Sequence, residues 1–239
     1  MKRIDYSQVV FFVVLLIPIL TSFAGTPART VAHYNVTSRG FAIGEVTTTQ
    51  RAFEEGGIAS VNFETRTAVK ASFLWMGYQL DTLEKGRLQK GELISYSRKG
   101  SENGDSIDVE GRFEQASFRF NVRERGTTRS IVVPRSSYDY TTMECPEARL
   151  DFAGQTQTFR ILDVENMAVV KRDYRLVRST TYVVGDKELP CRIVDFSDQN
   201  KAARRWIAWD GSAVVMYRQD SRGGKNSYSV KAASVSKEM

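Results

Sequence analysis

The stretch "VNFETRTAV", residues 61–69, decides the fold class. Val61, Phe63, Thr65, Thr67 and Val69 alternate with Asn62, Glu64, Arg66 and Ala68. A period of two sends alternate side chains to opposite faces of a strand, so the segment reads as a sheet strand with one apolar and one charged side. The stretch "FRFNVR", residues 118–123, repeats the pattern, with Phe118, Phe120 and Val122 against Arg119, Asn121 and Arg123. Similar runs occur around Tyr174–Leu176, Tyr182–Val184, Trp206–Trp209, Val214–Tyr217 and Tyr228–Ala232. Turn signals separate them at Gly56-Gly57, Lys85-Gly86, Lys90-Gly91, Asn103-Gly104, Arg125-Gly126, Gly185-Asp186, Asp210-Gly211 and Gly223-Gly224. Strands punctuated at such short intervals predict an all-β antiparallel meander.

Helix signals are few. The clearest is the stretch "RSSYDYTTMECPEARL" after Pro134, where Ser136 or Ser137 can cap a short turn before Pro146 interrupts it. That segment divides the chain into β-rich halves of about residues 29–134 and 150–234. The expected architecture is one domain, residues 25–239, built as a barrel or deep half-barrel crossed by this segment. A β-sandwich is the alternative, since period two alone does not distinguish them. Gly40 is expected to turn the chain between a first and a second strand. Gly44 is expected to mark a bulge or a close backbone approach in the second strand.

The N-terminus predicts export. Lys2 and Arg3 precede the apolar run Val9–Leu20, and Ser22 and Ala24 supply the small residues of a cleavage site, so residues 1–24 read as a signal peptide. The run is shorter than the roughly 20 residues of a spanning helix, and no nearby cysteine offers a lipid attachment point. A soluble periplasmic or secreted protein without a membrane span after cleavage is therefore expected. The formal charge of +6 permits contact with an anionic lipid or an acidic envelope polymer without requiring it. Cys145 and Cys191 are the 2 cysteines of the chain. In an oxidising compartment they predict one disulfide closing a loop of about 45 residues, with a stabilisation of about 3–4 kcal/mol.

Little in the sequence points to catalysis. His33 is the only histidine and lies in a strand-like context between Ala32 and Tyr34, which suits a strand residue better than a general base. Zinc-ligand spacing, a nucleophile elbow and phosphate-binding glycine loops are all missing, so no metal and no cofactor are expected. The closest carboxylate pairs are Asp195 with Asp198 and Asp163 with Glu165. They leave a polysaccharide hydrolase as an alternative, although neighbours on one strand rarely span a glycosidic bond. Basic residues beside aromatics, such as Arg204, Arg205 and Trp206, would suit single-stranded nucleic acid, but export argues against that partner.

The stretch "SFLWMGYQLDTL", residues 72–83, breaks the alternation by being apolar on both parities. Such a strand is covered on both sides, or it offers one face to an apolar ligand. Phe73, Trp75, Met76 and Tyr78 are thus candidate ligand-binding residues, joined by Trp206 and Trp209. The leading expectation is a non-enzymatic protein that binds a hydrophobic or lipid-like ligand or an envelope partner. A structural, surface-associated role is the third reading.

Three phrases carry a resemblance: "YNVTSRGFAIGEV" (34–46), "KELPCRIVDF" (187–196) and "RRWIAWDGSAVVMYRQDSRGGKNSYSV" (204–230). Together they resemble a group of bacterial exported β-rich proteins of unknown function. The resemblance implies a periplasmic β domain, similar in outline to the open barrels of lipoprotein carriers. It implies no catalytic residue, because the shared phrases are structural.

Overall fold

The computed structural model describes residues 29–73, 76–124, 126–209, 213–222 and 227–238. The expected signal peptide lies outside the described residues. The first limb of the chain forms eight strands: β1 (Arg29–Ser38), β2 (Phe41–Glu55), β3 (Ile58–Phe73), β4 (Met76–Gln89), β5 (Glu92–Glu102), β6 (Asp105–Glu114), β7 (Ser117–Glu124) and β8 (Thr127–Pro134). A connecting segment holds 3-10 turns at Arg135–Ser137 and Pro146–Arg149 and the short strand β9 (Tyr140–Thr141). The second limb follows as β10 (Thr156–Asp163), β11 (Ala168–Val184), β12 (Lys187–Ser197), β13 (Ala202–Trp209), β14 (Val214–Arg222) and β15 (Ser229–Glu238).

All 15 strands belong to one sheet, in the order β8-β7-β6-β5-β4-β3-β2-β1-β15-β14-β13-β12-β11-β10-β9. The chain starts at the middle, meanders outward to β8, crosses to the far edge and meanders back until β15 pairs with β1. Every pairing is antiparallel except the two-residue contact of β9 with β10. The sheet is not closed, and its continuity excludes the two-sheet sandwich. The predicted helical segment is reduced to its two 3-10 turns, because Pro146 sits at the start of the second.

The first hairpin forms as expected. Arg39 and Gly40 make the turn, and the register between β1 and β2 shifts between Val36 and Thr37, opposite Gly44. A Cβ on Gly44 would lie 2.2 Å from the Ala68 carbonyl oxygen, so the close backbone approach requires glycine.

Curling brings the limbs into contact. The Tyr34 hydroxyl donates to the Met216 carbonyl at 2.8 Å, and the Gln50 amide donates to the Val214 carbonyl at 3.0 Å. The Leu93 backbone N–H donates to Glu144 in the connecting segment at 3.0 Å. Leu93, Tyr96, Phe118, Phe120 and Val122 of β5–β7 bury against Tyr138, Leu162 and Val164. A second cluster, with Leu150, Tyr174, Leu176, Val194 and Phe196, lies beneath the second 3-10 turn. Ala32, Tyr34, Val36 and Val230 form the centre of the sheet. Full burial of one large apolar side chain contributes about 1.5–3 kcal/mol, so these contacts, not the short connecting turns, hold the limbs together.

The expected disulfide is absent, since Cys145 and Cys191 both carry free thiols. Alternation along β12 explains why they do not meet. Arg192 reaches the second 3-10 turn, donating to the carbonyls of Ala148 at 3.2 Å and Leu150 at 2.7 Å. Its neighbour Cys191 therefore points to the opposite face, into a cluster with Val184, Val215 and Tyr217. Cys145, immediately before the 3-10 turn, stays on the Arg192 side. Burial pushes the Cys145 thiol up to about 12, which keeps it protonated and unreactive.

Candidate functional site

Strand directions place the turns Arg39–Gly40, Asn103–Gly104, 164–167 and 198–201 at one end of the sheet, here the upper end. A charged cluster lies just inside it. Glu84 on β4 is paired in register with Arg98 on β5, and their side chains meet at 3.4 Å. Arg98 also lies 3.6 Å from Glu165 in the turn between β10 and β11. Lys201, in the turn between β12 and β13, approaches Asp163 at 2.8 Å and Glu165 at 4.0 Å. Arg172 completes the group, with its guanidinium 2.7 Å from Asp198 and 3.4 Å from Asp163.

These groups differ sharply in surroundings. The side chains of Arg172, Asp163 and Asp198 are at most 1 % exposed. Burial alone would raise Asp163. Hydrogen bonding from Lys201 and the charges of Lys201 and Arg172 outweigh it and hold the carboxyl below the usual range. Glu84 moves the other way, because burial outweighs the attraction of Arg98 and the charge of Glu165 adds to the rise. The Tyr96 hydroxyl is buried beside Glu84, and Arg98 meets the Glu84 carboxylate through its Nε at 3.4 Å. Nearer the opening, Tyr78 is pushed up to about 12, first by burial and then by Glu102.

The paired carboxylates singled out in the sequence supply three of the seven residues of this cluster. Asp163, Glu165 and Asp198 are gathered, but each is tied to Arg172, Lys201 or Arg98. Asp195 stands apart on the other sheet face, held by Arg204 at 2.6 and 2.8 Å. Glu84 and Arg98 were missed, although a signal existed. Leu80, Thr82, Glu84, Gly86 and Leu88 share one parity, so Glu84 is a charge at an inward position.

The described candidate ligand residues are dispersed. Phe73 ends β3 and its register partner Met76 begins β4, so the apolar stretch is divided between two antiparallel strands; Trp75 lies outside the described residues. Tyr78 stands near the upper end, 38 % exposed. Trp206 packs between Tyr182 and Arg218, whose guanidinium lies 4.6 Å from its ring centre. Trp209 is at the lower end, 64 % exposed. A groove of about 500 Å³ opens over β10–β13, lined by Thr156, Thr158, Asp173, Arg175 and Asp195. Among the described residues no group of three or more His, Cys, Asp or Glu side chains can hold a metal ion.

We expect Glu84→Gln to raise the melting temperature at neutral pH. A carboxyl whose folded-state pKa is raised costs stability when ionised. The gain should be absent in acid, where Glu84 is protonated in both states, and grow as pH rises through the ordinary glutamate range and beyond it. Thermal unfolding of both proteins across that window tests the sign. A gain confined to acid would contradict the burial of Glu84.

No model of a known protein family matches the chain, and neither the curated proteins nor the solved structures contain a match. What is established is therefore the fold class, an all-β protein made of one open antiparallel sheet.

Proposed function

We propose that the protein is a non-enzymatic, exported binding module whose curled sheet receives a hydrophobic or lipid-like ligand at its upper end. One observation carries this reading. Val69 and Leu80 are register partners and so are Ala71 and Tyr78, on the face that bears the central cluster, yet all four remain partly exposed. A partly uncovered apolar strip beside an opening suits an acyl chain or a ring system. The nearby ion pairs of Arg98 and Lys201 suit the polar head of such an amphiphile. The likeness of the quoted phrases to exported β-rich proteins, and of the outline to open-barrel carriers, supports the reading as analogy.

Native mass spectrometry of protein purified from the cell envelope tests it. A bound amphiphile is expected, and Leu80→Asp should release it while the strand circular dichroism persists. Protein that carries no molecule and whose tryptophan fluorescence ignores added lysolipid would refute the reading.

One observation favours a second reading, a polysaccharide hydrolase using paired carboxylates. Glu84 is raised and Asp163 lowered within one cluster, and such divergence can separate an acid from a base. The ion pairing of Asp163 with Arg172 and Lys201 weighs against it. Turnover of an envelope polysaccharide, abolished by Glu84→Gln, would favour the hydrolase.

A further inference from the structure

The upper rim carries a second feature. Phe41, the first residue of β2, is 74 % exposed, Tyr228 is 40 % exposed and Tyr78 is 38 % exposed. Register brings the three to one level. Phe41 pairs with Ser38 and Thr37 with Ser229, so Tyr228 lies beside the first hairpin turn. The Ser38 hydroxyl fixes this arrangement by donating to the Ser227 carbonyl at 2.9 Å. On the other side Gly44, three residues below Phe41, pairs with Val69, and Ala71, two residues above Val69, pairs with Tyr78. The three aromatics thus lie just before β15, on β2 and on β4, within a run of five adjacent strands. At about 4.8 Å per strand they span roughly 20 Å.

Cations accompany them. Arg39 forms the turn beside Phe41, and Lys70 is exposed one residue before Ala71. Leu74 and Trp75 lie outside the described residues, and the surface stands without them.

Exposed aromatic rings are costly in water and stable at the boundary between headgroups and acyl chains, where basic residues meet anionic lipid. A rim of three strand ends can press against a flat surface at several points at once, which a lone exposed ring does not do. We propose that this rim docks the protein onto the surface of an anionic lipid bilayer, with Phe41, Tyr228 and Tyr78 entering the headgroup layer and Arg39 and Lys70 meeting its phosphates. The sheet itself remains outside the bilayer. Docking goes beyond the ligand reading and does not depend on it: Tyr78 borders both surfaces, whereas Phe41, Tyr228, Arg39 and Lys70 belong to the rim alone. If both hold, the opening faces the membrane.

Flotation of the protein, as recovered from the cell, with phosphatidylcholine vesicles that contain or lack phosphatidylglycerol tests the proposal. Stronger flotation is expected with phosphatidylglycerol. Phe41→Ser combined with Tyr228→Ser should weaken binding to both vesicles by about tenfold, through the apolar surface no longer buried. Arg39→Gln combined with Lys70→Gln should weaken only the binding to anionic vesicles, by roughly thirtyfold at about 1 kcal/mol for each basic residue. Trp209→Ser is the control, because Trp209 is a 64 % exposed aromatic at the opposite end. It should bind as the parent does. All variants share one N-terminus, so any contribution from it cancels in the ratios. Failure of the parent to float, or an equal loss in Trp209→Ser, overturns the proposal. If a paired variant loses its strand circular dichroism, Phe41→Ser alone serves, with a weaker loss expected. A bound amphiphile with no flotation would leave the ligand reading standing without the docking surface.

Discussion

Arg172→Met should cost about 3–5 kcal/mol of folding stability, the loss associated with removing one partner of a buried ion pair. The Arg172 side chain is 1 % exposed and faces two carboxylates of similar burial, Asp163 and Asp198. Its guanidinium also lies 5.0 Å from the ring centre of Phe196, so methionine replaces some packing but leaves the anions uncompensated. Lys201 still reaches Asp163, and the backbone N–H groups of Asn200 and Lys201 still donate to Asp198. Those contacts are why the upper part of the range is not exceeded. Arg172→Lys should recover only part of the loss, because an ammonium cannot reproduce the guanidinium fork between two carboxylates. The pH dependence has a definite sign. Asp163 is lowered in the fold, so its contribution is present above the ordinary aspartate range and disappears as pH falls through the lowered value. Arg172→Met should flatten that acid limb. Urea unfolding at neutral and acid pH measures both effects, and a loss below about 1 kcal/mol would mean that the buried pair contributes little beyond its packing.

Cluster and sheet were legible to different degrees, for physical reasons. Period two is a local property, so Val61–Val69 and Phe118–Val122 announced their strands without reference to partners. Pairing partners are set by curvature and by long-range contacts, which is why nothing local joined Glu84 to Glu165. Two turns show the same limit. Lys85-Gly86 reads as a turn but lies inside β4, where the glycine makes room for Phe63. Gln115 and Ala116 form a real turn at positive φ, 49° and 57°, without the glycine or asparagine that would advertise it. Disulfide logic failed on orientation. Compartment and count allowed the bridge, but one residue of alternation sends Cys191 away from Cys145, and no spacing rule contains that information.

Gly111→Val should be among the most damaging single substitutions, costing about 3 kcal/mol. Register defines a transverse row Phe63–Gly86–Tyr96–Gly111–Phe120 across β3 to β7, in which aromatics alternate with glycines. The row lets a large ring lie over the neighbouring strand, filling the inside of the curl without widening it. A Cβ on Gly111 would lie 2.6 Å from the Phe118 ring and 3.0 Å from that of Phe120. Both rings are fully buried and pack against each other with centres 4.8 Å apart, so neither has space to retreat. Gly86 faces a milder version of the constraint. Its Cβ would meet the Phe63 ring at 2.2 Å, but Phe63 is only partly buried and can swing away. Gly86→Ala should therefore cost less than Gly111→Ala. Gly77→Ala is the control, since nothing lies within 4 Å of its Cβ position. It should be close to neutral, helped slightly by the reduced freedom of the unfolded chain. Coupling supplies the decisive measurement. If the cost comes from steric overlap, combining Gly111→Ala with Phe120→Leu should destabilise by less than the sum of the single changes. If it comes only from the strand preference of glycine against alanine, the two effects should add, and the packing account of the curl would be wrong.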